Sequence, residues 1–318
     1  MRITDERGYY YIITESHDEV DEVEAYLKGA THLAYDTETC GSAEGYRAEE
    51  ERNTPKPALR KDNILLGLSF ARDAKAGFYL PICGGPSKNI IYPDIAERII
   101  ELSKSYLSST SIKKIAHNGL FDNSTVRRNL KCSVNNLVFD TLIAAHEIDE
   151  NRELGLKSLA VEMLGEDADT EKKELAEAFK AAGISSFSKG MGMLYKIPLA
   201  IYGKYGAADP RLTFELAMVL GKQLKEKGLL ERYKWKHEVE YNVYLELNST
   251  GWCIDTNVLK KNEKEVEVIL KAQAKSLRAT TKNAIKRVED SLVNNARPIA
   301  KSPWWTKALV HAEELDEH

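Results

Sequence analysis

The stretch HLAYDTET (His32–Thr39) decides the fold. An apolar run, Leu33 to Tyr35, leads into two acids separated by one residue. Its composition reads as a strand, and on a strand side chains at i and i+2 point to the same face. Asp36 and Glu38 can therefore face one cation together. A D-x-E pattern is common in unrelated chains, so its meaning depends on further acids arriving from other elements.

The surrounding text alternates. GYYYIIT (Gly8–Thr14) is β-branched and aromatic, and DEVDEVEAYLKG (Asp18–Gly29) has helical spacing and a closing glycine. ILLGLSFA (Ile64–Ala71) and GFYLPI (Gly77–Ile82) read as a hairpin around a polar turn. An amphipathic helix, DIAERIIELSKSYLS, precedes a short strand, KKIAH. A helix, LFDNSTVRRNL, and a last short strand, LVFD, follow before the helical TLIAAHEID. This order predicts an α/β fold with a mixed sheet flanked by helices. Between Thr39 and Ile64 the polar, two-proline text CGSAEGYRAEEERNTPKPALRKDN predicts a long exposed loop, either a flap over the site or a solvated excursion.

From Leu156 the pattern is helical: LKSLAVEMLG, EKKELAEAFKAAG, a loop SSFSKGMG, then the long period of PLAIYGKYGAADPRLTFELAMVLGKQLKEKG. Pro210 removes an amide donor and disfavours the α region at Asp209, which predicts a kink. Beyond Gly228 the composition becomes more charged. Long helical stretches follow, split by GWCID, so the expected domains are 1–228 and 229–318, the second a helical C-terminal region.

Two more carboxylates complete the pattern. In HNGLFD, Asn118 and Asp122 stand four apart at a helix start and share a face. N-capping by Asn118 would explain the asparagine but not the acid one turn later. In YGAAD, Tyr205 and Asp209 have the same spacing, and an aspartate in an alanine-rich helix is costly to bury unless paired or metal-bound.

D-x-E on an early strand, N-x-x-x-D on a middle helix and Y-x-x-x-D on a late helix resemble, in that order, the DEDDy 3′–5′ exonucleases, a proofreading superfamily with an RNase H-like fold. The segment VFDTLIAAHEIDENRELGLKSLAVEMLG is similar to the text between the second and third motifs of the exonuclease domain of A-family DNA polymerases. The resemblance covers roughly residues 8–228. Where that family commonly carries a second acid two residues past the last catalytic aspartate, this chain has Arg211.

The resemblance implies a metal-dependent 3′–5′ exonuclease using two divalent cations, Mg²⁺ or Mn²⁺. Asp36, Glu38, Asp122 and Asp209 would be the ligands, with Asp36 bridging the ions, and Tyr205 would orient the nucleophile. Thr37, Thr39, Asn118 and Phe121 would contact the terminal nucleotide. The substrate class is single-stranded DNA or a frayed primer 3′ end. Physical chemistry agrees with metal: four acids meeting in one place are unstable without cations, and hard divalent ions take oxygen ligands.

HEVEYNVYLELNSTGWCIDTNVLKKNEKEVE is similar to the helices that lead into the polymerase region of that family. The palm text of the DYSQIE kind, the nucleotide-binding helix and the HDE motif are absent from the 318 residues. The expectation is a proofreading part of a split, phage-like polymerase, or a truncated piece of one. Two other readings stay open: an RNase D-like exoribonuclease, and a non-catalytic polymerase-docking subunit. Trp304 and Trp305 are either a partner surface or anchors of a terminal helix.

Composition narrows the remainder. A net charge of −4 does not advertise a nucleic-acid binder. No apolar run approaches the roughly 20 residues of a membrane span, the N-terminus has no apolar signal core, and the four cysteines form no C-x-x-C pair. These features predict a cytoplasmic protein of a bacterial or phage-infected cell.

Overall fold

The computed structural model describes residues 1–40, 63–165, 167–251, 253 and 255–294. The expected loop after Thr39 and the Trp304–Trp305 pair lie outside the described residues, apart from Cys40 and Asn63 at the loop's two ends. The sheet has seven strands: β1 (Arg2–Thr4), β2 (Tyr10–Ile13), β3 (His32–Cys40), β4 (Ile64–Ala71), β5 (Ala76–Pro81), β6 (Lys113–Ala116) and β7 (Leu137–Asp140). Their order is β1-β2-β5-β4-β3-β6-β7. β3, β4 and β5 pair antiparallel, while β6 and β7 extend the sheet parallel to β3. This is the mixed sheet flanked by helices expected from the sequence, with the acid-bearing strand fifth of seven, between β4 and β6. β1 was not legible, because three residues carry too little pattern.

β3 divides the molecule by its alternation. Ala34 packs with Ala217 of helix α8 (Leu199–Glu226), and Asp36 and Glu38 share Ala34's parity. Thr37, of opposite parity, meets Asp122 of helix α3 (Gly119–Leu130). A register shift between Glu38 and Thr39 sets two β4 steps against one of β3, a bulge of the kind that re-aims side chains beside sites.

Helix α8 is the element that closes the site. It lies against β2, β3, β4 and β5, and every residue from Tyr205 to Thr213 is buried. Two of the contacts leave no room for a Cβ. One added at Gly77 of β5 would stand 1.8 Å from the Ala207 carbonyl oxygen, and one at Gly206 would stand 2.9 Å from the Tyr79 ring. The helix runs unbroken through Pro210. Its flanks there are buried against the sheet.

The remaining helices are α1 (His17–Leu27), α2 (Pro93–Ser108), α4 (Thr141–Ile148), α5 (Leu156–Leu164), α6 (Thr170–Ala181), α7 (Phe187–Met191), α9 (Leu230–Trp235) and α10 (Tyr241–Thr250), with a π-helical turn at Lys236–Glu240. The short α7 replaces the loop expected at SSFSKGMG. Ser186 caps it by accepting a hydrogen bond from the Lys189 amide. Contacts divide after Gly251 rather than near residue 228. Helices α9 and α10, read from sequence as part of the second region, belong to the first unit: Tyr233 packs on Phe139, and α10 packs on α3. In the second unit, Thr256–Asn294 form one helix, α11.

Candidate active site

Asp36 and Glu38 from β3 and Asp209 from α8 each offer a carboxylate oxygen, and the three oxygens lie within 4.8 Å of one another. Glu38 and Asp209 are buried and Asp36 is half-buried. Burial drives all three carboxyls above the usual range, and repulsion from neighbouring acids adds to it at Asp36 and Glu38. For Asp36 the causes after burial are Asp122, Glu38 and Asp209. For Glu38 they begin with Asp209. For Asp209 burial is opposed by Lys157. A divalent cation would relieve this repulsion, and three carboxylate oxygens are the donors such an ion takes. The residues therefore fit the expected metal.

Asp122 is not in that trio. Its Oδ1 accepts from the Thr37 amide at 3.0 Å and the Thr37 hydroxyl at 2.6 Å. It reaches the centre from the α3 side of β3, because Thr37 has the opposite parity to Asp36. It is still close enough to be the largest charge raising Asp36. Its own carboxyl is pushed up to about 7 by burial, against the pull of the two Thr37 hydrogen bonds. The Thr37 amide and hydroxyl are thus both engaged as donors to Asp122. Thr39 is half-buried just past the bulge.

Tyr205 lies one helical turn before Asp209 and is buried. Burial, then the charges of Asp209, Glu38 and Asp36, push its phenol well above the ordinary value, so the hydroxyl keeps its proton. Asn118 is exposed at the start of α3 in a left-handed conformation (φ 61°), and its side chain makes no cap. Asp140 does that work instead. Its carboxylate accepts from the Asn118 and Gly119 amides at 3.1 and 2.8 Å and from the Leu142 amide at 2.9 Å, so one acid caps α3 and α4 together. Asn118 and half-buried Phe121 are thereby left at the helix mouth.

Lys157 of α5 was missed. It is buried, its ammonium pairs with Asp209 Oδ1, and it lies 4.7 Å from the centre of the Tyr205 ring. The only signal was its place in GLKSLA, where a lysine on a helix reads as a solvated charge. Arg211, which stands where an additional acid was expected, turns away. Its guanidinium lies 3.6 Å from the centre of the Tyr9 ring and pairs with Glu215 at 3.2 Å.

Comparison with known proteins places this site in context. Residues 84–225 match the family model described as 3′–5′ exonuclease. DNA polymerase I of Borreliella burgdorferi is 28% identical over 247 residues, 76% of this chain and 23% of that protein. The chain thus spans less than a quarter of the length of this curated relative. Among solved structures, Brucella melitensis NrnC with bound Mg²⁺ shares 17% identity at a TM-score of 0.46, covering 76% of this chain and 94% of that one. The POL domain of Pol1 from M. smegmatis in complex with DNA primer-template and dNTP shares 14% identity at a TM-score of 0.49, covering 80% and 34%. No helix among the described residues is long and apolar enough to cross a membrane.

Proposed function

We propose that the chain, whose residues 84–225 match a 3′–5′ exonuclease family model and which is similar to a DNA polymerase I, removes nucleoside monophosphates from DNA 3′ ends as the proofreading part of a split, phage-like polymerase. The observation that carries this reading is the convergence of Asp36, Glu38 and Asp209 beside Tyr205. No palm motif occurs in these 318 residues, so synthesis is left to a polymerase outside them.

Asp36, Glu38 and Asp209, with Asp122 on the far side of Asp36, are the residues that would hold divalent cations. Two Mg²⁺ or Mn²⁺ ions, when bound, supply hydroxide near neutral pH and offset the charge on the phosphate and the leaving oxygen. The chain's own residues do the remainder. Tyr205, kept protonated by burial, orients the attacking water by hydrogen bonding and is not the base. Lys157 fixes the direction of Asp209. Phe121 stacks on the terminal base, a contact worth about 1–3 kcal/mol and indifferent to sequence. Asn118 contacts the sugar. A frayed end costs least to unpair, which makes mismatched termini the preferred substrates.

The test of substrate class is the rate of monophosphate release from DNA and RNA strands of one sequence, with Mg²⁺ or Mn²⁺. The DNA strand is expected to be the faster. A faster RNA strand would replace this reading with an RNase D-like exoribonuclease. Absence of release from both would leave a polymerase-docking subunit.

A further inference from the structure

Helix α11 of the second unit changes charge along its length. Its first part is mixed: Lys261 pairs with Glu265 at 3.9 Å and Lys271 with Glu267 at 2.7 Å, each one helical turn apart. Beyond Glu267 the acids stop. No aspartate or glutamate occurs from 268 to 288, whereas Lys271, Lys275, Arg278, Lys282, Lys286 and Arg287 all fall in that stretch. All six are exposed. The chain as a whole carries a net charge of −4, so this run of cations is a local feature and does not follow from a basic composition.

Spacing gathers five of the six onto one face. From Lys271 to Lys286 the cations recur every three or four residues. At 3.6 residues per turn this keeps them within an arc of about 80°, over roughly 22 Å of helix. Like charges three and four apart face each other and destabilise a helix by about 0.2–0.5 kcal/mol per pair. Among the described residues no ion pair relieves Lys275, Arg278, Lys282 or Lys286. A polyanion with its charges in a row would offset all four at once. Basic amphipathic helices also suit lipid surfaces, but those helices anchor with aromatic and large apolar side chains. α11 contains no Phe, Tyr or Trp. A nucleic-acid backbone asks only for the cations, and a basic stripe along a helix is its electrostatic counterpart.

We propose that the stripe from Lys271 to Lys286 on α11 is a track for the phosphate backbone of a nucleic acid, made of residues other than those of the acid centre. With no aromatic ring to stack on a base, it holds the backbone by charge and is indifferent to sequence. The proposal stands whether or not the acid centre hydrolyses, because binding is read without metal. The phosphates can belong to a single strand or to a duplex, and the same chemistry serves both.

The test is fluorescence anisotropy of a labelled oligothymidylate titrated with the full-length protein in EDTA, over a series of salt concentrations. Each phosphate contact on a single strand contributes about 0.7 to the slope of log affinity against log salt. A variant combining Lys275→Gln, Arg278→Gln, Lys282→Gln and Lys286→Gln is expected to lower the steepness of that slope by about three, and Lys282→Gln with Lys286→Gln by about half as much. Glutamine has nearly the helix propensity of lysine and arginine, so α11 is retained. A control with exposed Lys28, Lys75, Lys113 and Lys180 changed to glutamine removes the same charge elsewhere and should keep the wild-type slope. Repeating the series with the strand paired to oligoadenylate separates the sources: the stripe serves whichever form loses more contacts in the four-site variant. An unchanged slope in that variant on both forms, or an equal fall in the control, would overturn the proposal. So would a difference between wild type and variant seen only on phosphatidylserine vesicles and not on DNA.

Discussion

At Asp209 two demands oppose each other. The carboxylate must be charged to hold a cation, yet it is buried beside Glu38 and Asp36, which resist that charge. The Lys157 ammonium resolves the conflict in the metal-free protein. Breaking a buried ion pair by removing one partner costs roughly 3–5 kcal/mol, because the other charge is left unpaired. Lys157→Met should therefore lower the unfolding temperature in EDTA, and Mn²⁺ should raise it more in the variant than in the wild type. Thermal unfolding with and without Mn²⁺ checks this; an unchanged temperature in EDTA would show that the pair contributes nothing. Asp36, Glu38, Tyr205 and Asp209 were legible because their spacing carries the chemistry, two apart on a strand and four apart on a helix. Lys157 was not, because its partner lies 52 positions away and only the fold brings them together. The orientation of Asp122 was also hidden, since spacing places it on the right helix but cannot say that Thr37 takes up one of its oxygens.

Among the elements, α8 fixes the geometry. It brings Tyr205 and Asp209 to β3, and it can lie so close only because Gly77 and Gly206 lack side chains. A methyl at Gly77 would collide with the Ala207 backbone, which cannot move aside alone. Gly77→Ala should thus push α8 off the sheet, cost about 1–3 kcal/mol by overpacking, and reduce hydrolysis with it. Denaturant unfolding and a rate measurement on the same preparation test the coupling; lost stability with full activity would mean that α8 shifts without moving Asp209. The strand alternation and the long helical period were readable in sequence. The closeness of β5 to α8 was not, because a glycine in a strand pattern signals an approach without naming its partner. At Pro210 local backbone preference disfavours helix, yet the helix continues through it with its neighbours buried.

Across the whole molecule, the first unit extends beyond the span of the resemblance. The Tyr233 hydroxyl accepts from the Asp140 amide at 2.7 Å, and Asp140 caps the helix that carries Asp122. Composition changes near residue 228, but these contacts tie α9 and α10 to the site. A protein ending at residue 251 should keep the unfolding temperature of the first unit, and one ending at 228 should lose several degrees through exposure of Phe139 and Asp140. Calorimetry of both decides between the two boundaries. The central claim is that the acids of β3 and α8 form a metal-dependent centre that shortens strands from the 3′ end. It is tested most directly by incubating a 5′-labelled DNA oligonucleotide with the wild type and Asp209→Ala, in EDTA and in Mn²⁺. The account predicts a ladder of one-nucleotide steps only for the wild type with Mn²⁺; an intact strand there, or the same ladder from Asp209→Ala, would contradict it.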